Sequence, residues 1–381
     1  MNKVKTFLRK ELMLTISVIA AVISLFITPP SSQLWKDIDW RTLGTLFMML
    51  CVLEGFKREN VLKPVIKLSS GLKRMTGISL FLIFGVFFTS MLVTNDVSLI
   101  IFVPLTITVF RSGGKEKYIL PVISMENIAA IRGSLLTPFG SPQNLFLYGR
   151  AGVSVGHFML HMLPLCAMSA VLLVIFVFFL YRKDLKEEIG TPPDTSDARD
   201  PAEGRVRRIA YISLFLLVIL TIVTRTAYWP AAAGTVAAVI AVVDRRLFLK
   251  VDYVLIVTFF CFFVFSSSIA ANEHIAGLLG KAVSGSEYWW AIGLSQLISN
   301  VPASIVLYPF TTNFSGLIYG ADTAGLCSLI GSLASVINYR IYVREYPGCG
   351  GKFIKTFTLV SWAFFAIVVV PGLLLTGWSF F

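Results

Sequence analysis

The sequence predicts an all-α polytopic membrane protein with about nine transmembrane spans and two re-entrant hairpins, set in two inverted repeats with broken helices. Three observations carry that prediction. Of 381 residues, 56% are hydrophobic and only 14% charged, whereas soluble domains carry roughly 25% charged residues. Apolar runs recur along the whole chain, and no tail is large enough to fold as a separate soluble domain. Two of the runs are interrupted by short polar clusters, Thr94-Asn95-Asp96 and Ser299-Asn300-Val301-Pro302, each followed by a Gly/Ser-rich break in the next apolar segment. Irregular polar backbone at membrane depth is tolerated only where protein covers it or it lines a cavity. A pair of such interruptions in corresponding halves points to a transporter binding site.

A span needs about 20 apolar residues, because ~30 Å of hydrocarbon at 1.5 Å per residue takes that many. Spans are expected at 12–29 and 40–56, followed by an amphipathic cytoplasmic arm at 57–74. The basic N-terminus resembles a signal peptide, but no small-x-small cleavage site precedes Pro29-Pro30, so the first run reads as a retained span. Between Arg74 and Arg111 lie 36 residues, a few short of two crossings and a turn, and between Glu287 and Asn313 lie only 25. Both stretches therefore read as re-entrant hairpins with arms too short to cross: 77–110 with its tip at Asn95, and 287–312 with its tip at Asn300. A broken span at 118–149 and a span at 154–181 complete the first repeat, 1–181. A linker at 182–208, with Pro, Asp, Glu and Arg and no apolar run, divides the halves. The second repeat, 209–381, takes spans at 209–224, 230–243 and 252–270, an outer arm at 271–286, the hairpin, a broken span at 316–340 and a last span at 356–379.

Charge supports this order. With nine crossings and two hairpins, 27 of the 33 Lys and Arg fall on one side, five (Lys36, Arg41, Arg150, Arg225, Lys281) on the other, and Arg132 is left within the membrane. Making 287–312 a single span would move Arg340, Arg344, Lys352 and Lys355 outside. The positive-inside rule then puts the N-terminus in the cytoplasm and the C-terminus outside, in the cytoplasmic (inner) membrane. The net charge of +12 sits at the ends of apolar runs, which excludes nucleic acid as a partner and leaves the lipid bilayer.

The halves correspond. Asp39-Trp40 opening one apolar span matches Asp252-Tyr253 opening another, and each is followed by an arm, a hairpin, a broken span and a full span. Asp39 lies 56 residues before Asn95, and Asp252 lies 48 before Asn300. Gly140-Ser141-Pro142-Gln143-Asn144 is echoed by Gly331-Ser332-Leu333-Ala334-Ser335. One extra leading span in the second half reverses its orientation, which is how a chain builds an inverted repeat. Chance alignment of similar apolar compositions is the rival account. The agreement of order, spacing and charge parity argues against it.

Hairpin tips and helix breaks bring several helix ends to one depth. Open amides at helix N-termini attract anions, while freed carbonyls and Ser, Thr or Asn oxygens coordinate Na⁺. Thr94, Asn95, Thr137, Gly140, Ser141 and Asn144 frame one candidate site. Ser299, Asn300, Gly331, Ser332 and Ser335 frame its partner, with Na⁺ candidates near Asn95/Gly140 and near Asn300/Gly331. Taken singly these motifs are weak, since Ser, Gly and Pro are common in membrane helices. Asp96 at a tip costs about 2.5–3.5 kcal/mol if charged and unpaired at mid-membrane, so it is protonated, paired or a cation ligand. Arg132 either binds an anionic substrate or pairs with Asp96; Glu126 reads as structural and Asp322 is left open. The five Cys lack metal-ligand spacing and read as small buried residues. His157 and His161, with no third ligand nearby, read as a helix face. No cofactor is expected beyond Na⁺ or H⁺ as coupling ion.

Residues 92–98, Leu-Val-Thr-Asn-Asp-Val-Ser, running into Phe102-Val103-Pro104-Leu105, resemble the first hairpin of the ion-transporter superfamily. That group includes the citrate-transporter/arsenite-permease domain and the divalent-anion:sodium symporters. Residues 136–144, Leu-Thr-Pro-Phe-Gly-Ser-Pro-Gln-Asn, resemble its first unwound segment, and residues 295–303, Ser-Gln-Leu-Ile-Ser-Asn-Val-Pro-Ala, resemble its second hairpin. Residues 330–335, Ile-Gly-Ser-Leu-Ala-Ser, resemble the second unwound segment as arsenite permeases carry it. The resemblance implies a transport core of hairpins and broken helices on a homodimeric scaffold, moving as an elevator. In the symporter branch both tips read Ser-Asn-Thr and touch carboxylates and Na⁺; here they read Thr-Asn-Asp and Ser-Asn-Val, which leaves carboxylate and oxyanion both open.

The expected function is therefore secondary active transport of a small anionic solute (carboxylate or oxyanion) across the cytoplasmic membrane, coupled to Na⁺ or H⁺. Arsenite efflux and Na⁺/H⁺ antiport are the alternatives within transport; arsenite tolerance and Na⁺-dependent pH changes separate them. An ion channel is the rival from another class and predicts conductance without saturation. An intramembrane enzyme is excluded because Asp96 is the only acid among the tips and breaks, with no Ser/His or paired-Asp constellation.

Overall fold

The computed structural model describes residues 12–30, 32–59, 74–183 and 204–377, together with Leu72 and Glu188. The basic N-terminal cluster, most of the arm expected at 57–74 and most of the linker expected at 182–208 lie outside the described residues. Regular structure among the described residues is helical, apart from one isolated bridge between Arg74 and Glu188. The first half holds α1 (Leu12–Ile27), α2 (Ser32–Asp37), α3 (Trp40–Arg58), α4 (Met75–Val93), α5 (Asn95–Ser112), α6 (Ile119–Ser134), α7 (Pro142–Ala151) and α8 (Val155–Leu180). The second holds α9 (Arg205–Thr224), α10 (Trp229–Asp244), α11 (Tyr253–Ala270), α12 (Glu273–Val283), α13 (Glu287–Ile298), α14 (Asn300–Leu307), α15 (Phe314–Ala324), α16 (Leu333–Glu345) and α17 (Gly350–Leu375).

Six of these helices are long and apolar enough to cross a membrane: α4, α5, α8, α9, α11 and α17. The chain is thus a multi-pass membrane protein. Of the nine expected spans, four (α8, α9, α11, α17) meet that measure as unbroken helices, while α1 and α10 have 16 residues each. The other two of the six are the arms of the first expected hairpin, and here the sequence expectation needs correction. With 19 and 18 residues, α4 and α5 each reach about 27–28 Å at the α-helical rise, close to the hydrocarbon thickness. The residue count between Arg74 and Arg111 reserved several positions for a turn, but the reversal uses Thr94 alone. The second pair, α13 and α14, has 12 and 8 residues and is short as expected.

Two helical groups follow from the packing. In one, α3 packs on α9 and α10, and α1 on α11. Gly55 and Gly44 of α3 allow this approach, because a Cβ there would enter the rings of Tyr211 and Trp229. In the other, each half contributes the same set of contacts. Helix α4 packs on α6 as α13 packs on α15, and α8 packs on α6 as α17 packs on α15. Across the halves, α5 packs on α16 and α14 packs on α7. The two span starts matched in the sequence are also alike in local geometry. Asp39 and Asp252 are the N-caps of α3 and α11, with φ/ψ of −81/76° and −78/80°, accepting from the amides of Thr42 at 3.0 Å and Leu255 at 3.1 Å.

Candidate functional site

The two tips share one unusual backbone state. Thr94 lies at φ 76°, ψ 155° and Ser299 at φ 69°, ψ 159°, a region that is essentially glycine-only and costs about 1–3 kcal/mol for another residue. A β-branched residue would not be held there unless the surrounding helices over-determined it. Each tip residue ends one helix and starts the next, so α5 and α14 begin without any linker.

The breaks match as closely. Between α6 and α7, Gly140 packs against the carbonyl of Ser134, and between α15 and α16, Gly331 packs against that of Ala324; a Cβ at either would collide with that oxygen. Ser141 and Ser332 follow as N-caps of α7 and α16, at φ/ψ of −147/151° and −146/138°. Thr137 Oγ1 donates to the Met91 carbonyl at 2.5 Å, tying the first break to its hairpin. In the second half the same position is Ser328, whose Oγ donates to Gln296 Oε1 at 2.7 Å and accepts from Gly331 N at 3.2 Å. Neither Ser328 nor Gln296 was among the sequence candidates. Counting three residues back from Gly140 to Thr137, and likewise from Gly331, would have reached Ser328.

Helix α14 starts on the second break directly: Asn300 N donates to the Gly331 carbonyl at 3.2 Å, and Asn300 Nδ2 to that of Ala321 at 3.3 Å. Asn144 Nδ2 reaches the last carbonyls of α6, Ser134 at 3.4 Å and Leu135 at 3.2 Å. Asn95 Oδ1 accepts from Asp96 N at 2.9 Å. The halves are bridged by Gln143 Nε2 to Asp322 Oδ1 at 2.9 Å and by Asn127 Nδ2 to Ser335 Oγ at 3.0 Å. Asn338 Nδ2 adds a bond to the Ile123 carbonyl at 2.7 Å. Gln143, Asn127 and Asn338 were also missed; their signal was amide side chains inside otherwise apolar or broken segments.

The tips and breaks begin four helices, α5, α7, α14 and α16. Their N-caps are Thr94, Ser141, Ser299 and Ser332, all residue types that normally cap through the side-chain oxygen. None of the four does so. Elsewhere Asp39, Ser154, Asp252, Asn272 and Asn313 cap their helices, while Ser286 at the start of α13 does not. At the tip and break ends Asn300 N and Asp96 N find acceptors in the Gly331 carbonyl and Asn95 Oδ1, and the macrodipoles favour negative charge.

The charged residues separate into two places. Arg132 is 0% exposed, and Nε, Nη1 and Nη2 all lack a hydrogen-bond partner. Asp322 lies within its electrostatic range, but no carboxylate is within ion-pair distance of it among the described residues. Asp322 Oδ2, Asn144 Oδ1, Ser141 Oγ and Thr323 Oγ1 are likewise buried without partners. Each such group costs about 1–3 kcal/mol, and charged ones more, unless something fills its valence. Asp96 is elsewhere: the charges acting on it are Lys57 and Asp252, not Arg132. The Arg132–Asp96 pair considered from the sequence is therefore not formed. Glu126, fully buried, accepts from Thr106 Oγ1.

Residues 6–316 match the citrate transporter family. Inner membrane protein YbiR of Escherichia coli is 30% identical over 326 residues, covering 83% of this chain and 84% of that protein. An uncharacterised transporter of Methanocaldococcus jannaschii is 30% identical over 311 residues, covering 81% of this chain and 83% of that protein.

Proposed function

The chain belongs to the citrate transporter family, and from that premise we propose that it is a secondary active carrier of a small anionic solute, a carboxylate or oxyanion, in the cytoplasmic membrane. The observation that carries this reading is Arg132, a buried guanidinium with no partner on any nitrogen. A second support is the set of four helix N-termini at the tips and breaks, none of which is capped by its N-cap side chain. A buried cation and helix N-termini without side-chain caps are donors of the kind an anion requires.

In this reading Thr94, Asn95, Thr137, Gly140, Ser141 and Asn144 form one half-site, and Ser299, Asn300, Gly331, Ser332 and Ser335 the other. Na⁺ would bind near the Asn95/Gly140 and Asn300/Gly331 pairs, where carbonyl and amide oxygens would serve as its ligands. If H⁺ is the coupling ion instead, Asp96 and Asp322 are the acids placed to take it. The two helical groups, α1, α3 and α9–α11 against the hairpins, broken helices, α8 and α17, meet mainly along α11–α14 and α3–α7. That division supports an elevator movement of the second group on the first, which would pair as the homodimeric scaffold that the family resemblance implies. The matched tips, breaks and caps support two inverted repeats, with the short α13–α14 pair re-entrant and α4–α5 returning to the face it left.

Uptake into proteoliposomes tests the reading. A panel of carboxylates and oxyanions, each driven by a Na⁺ or a pH gradient, is expected to give saturable accumulation for one chemical class. Replacing both Asn95 and Asn300 with Ala should abolish it. Unchanged uptake in that double variant, or conductance that does not saturate, would exclude the carrier.

A further inference from the structure

A second cluster of cations lies away from the central breaks. A cleft of about 330 Å³ opens between the start of α3, the end of α7 and the junction of α9 with α10. Lys36, Arg41, Arg150 and Arg225 line it, against one lining carboxylate, Asp39. These are four of the five Lys and Arg that charge parity puts on the outer side of the membrane. Gly149, on its wall, is about 10 Å along α7 from Pro142 and the first break.

The four cations are not equally occupied. Arg150 Nε pairs with Asp39 Oδ2 at 3.1 Å, and its Nη2 donates to the Asp37 carbonyl at 3.5 Å. Arg225 stands at φ 48°, a left-handed conformation for a side-chain-bearing residue. It stacks its guanidinium 4.0 Å from the Tyr148 ring centroid and donates through Nη2 to the Tyr148 carbonyl at 2.6 Å. Its Nε is buried and without a partner. Arg41 is half-buried, makes no ion pair among the described residues, and lies within electrostatic range of Arg225. Two like charges in a concave, partly desolvated cleft repel one another more strongly than at an open surface. Asp39, which also lies within electrostatic range of Arg41, is already engaged with Arg150 and the Thr42 amide, so the lining of the cleft carries four cations against one committed carboxylate.

We propose that this cleft is a second anion-binding site, separate from the central one, taking a carboxylate or phosphate group between Arg41 and Arg225. The group would come either from a soluble anion or from a phospholipid headgroup at the membrane face. The site stands on its own geometry and does not require the central site to bind the same ligand.

Trp40 and Trp229 line the cleft, so intrinsic fluorescence of the delipidated, detergent-solubilised full chain reports on it. The probes are inorganic phosphate and a short-chain phosphatidylglycerol, each titrated against wild type, Arg41→Gln, Arg41→Lys and Arg132→Gln. Arg41→Gln is chosen because Arg41 carries no contact whose loss would unfold the cleft. Binding of at least one probe is expected to be on the order of tenfold weaker in Arg41→Gln, the loss of one charge-assisted hydrogen bond. It should be partly kept in Arg41→Lys and unchanged in Arg132→Gln. Binding by phosphate alone or by the lipid alone each supports the site and identifies which source fills it. If neither probe binds in an Arg41-sensitive way, or if Arg132→Gln alone removes the binding, the second site is overturned. Failure of solute uptake in proteoliposomes, with Arg41-sensitive binding retained, would instead count against the proposed function.

Discussion

Replacing Arg132 with Met tests whether the central guanidinium is held for a ligand or for the fold. Arg132 stands in the last turn of α6, and a charged Arg at mid-membrane depth costs about 2.5–3.5 kcal/mol on insertion scales. Here no nitrogen of the side chain recovers part of that through a hydrogen bond. Met has a similar length, no charge and enough flexibility to fill the vacated volume. Against the gain stands Asp322, which loses the cation in its electrostatic range, so a net stabilisation of about 1–3 kcal/mol is expected for the solute-free protein. The response to solute should move the opposite way. A ligand at a hundred times its Kd stabilises wild type by about 2.7 kcal/mol, and Arg132→Met should show none of it. Thermal unfolding in detergent, with and without each member of the anion panel, measures both effects. Loss of 3–5 kcal/mol in the solute-free variant, the order expected when one member of a buried pair is removed, would refute the reasoning, as would a retained solute shift. The double variant Arg132→Met/Asp322→Asn should be more stable than Arg132→Met, because the remaining buried carboxylate is then neutralised.

Three other expectations follow from the same geometry. Thr94→Gly and Ser299→Gly should each raise unfolding stability by up to about 2 kcal/mol, since relief of the strained φ outweighs glycine's chain entropy of about 0.5–1 kcal/mol; destabilisation in melting experiments would mean the tips are not strained. Gly140→Ala and Gly331→Ala should both destabilise, because each new Cβ meets the carbonyl of Ser134 or Ala324, and uptake should fall with them. Asp252→Ala should cost about 1 kcal/mol as a lost N-cap, and Asp39→Ala more, because Asp39 also holds Arg150; equal losses in paired melts would deny that ion pair any weight.

Much of this arrangement was legible in residue order. The breaks at Gly140 and Gly331 and the tips at Asn95 and Asn300 were readable because Gly, Ser, Pro and Asn interrupt apolar periodicity and membrane depth forbids unprotected irregular backbone. Asp39 and Asp252 were readable as matching span starts. The length of α4 and α5 was not, because residue counting cannot tell that one strained residue replaces a turn. Nor was the partnership of Arg132. Its neighbour Asp322 is 190 positions away, and whether two intramembrane charges pair depends on packing across the halves rather than on either local sequence.

The buried charges do not follow the correspondence seen in the tips and breaks. If Gly140 corresponds to Gly331, the register places Thr323 opposite Arg132 and Asp322 opposite Ile131. Backbone devices such as tips, breaks and caps are duplicated, while the cation comes from α6 alone and the acid from α15 alone. A duplicated site would repel itself if both halves carried an Arg, and two buried like charges at close range are disfavoured. One Arg and one Asp on pseudo-equivalent turns avoid that repulsion. The backbone features are thus paired, while the guanidinium, whose nitrogens have no hydrogen-bond partner, and the carboxylate each occur once. This asymmetry also predicts that moving the acid to the first half and the cation to the second, by Arg132→Thr/Thr323→Arg and Ile131→Asp/Asp322→Ile together, should preserve anion-dependent stabilisation better than either exchange alone.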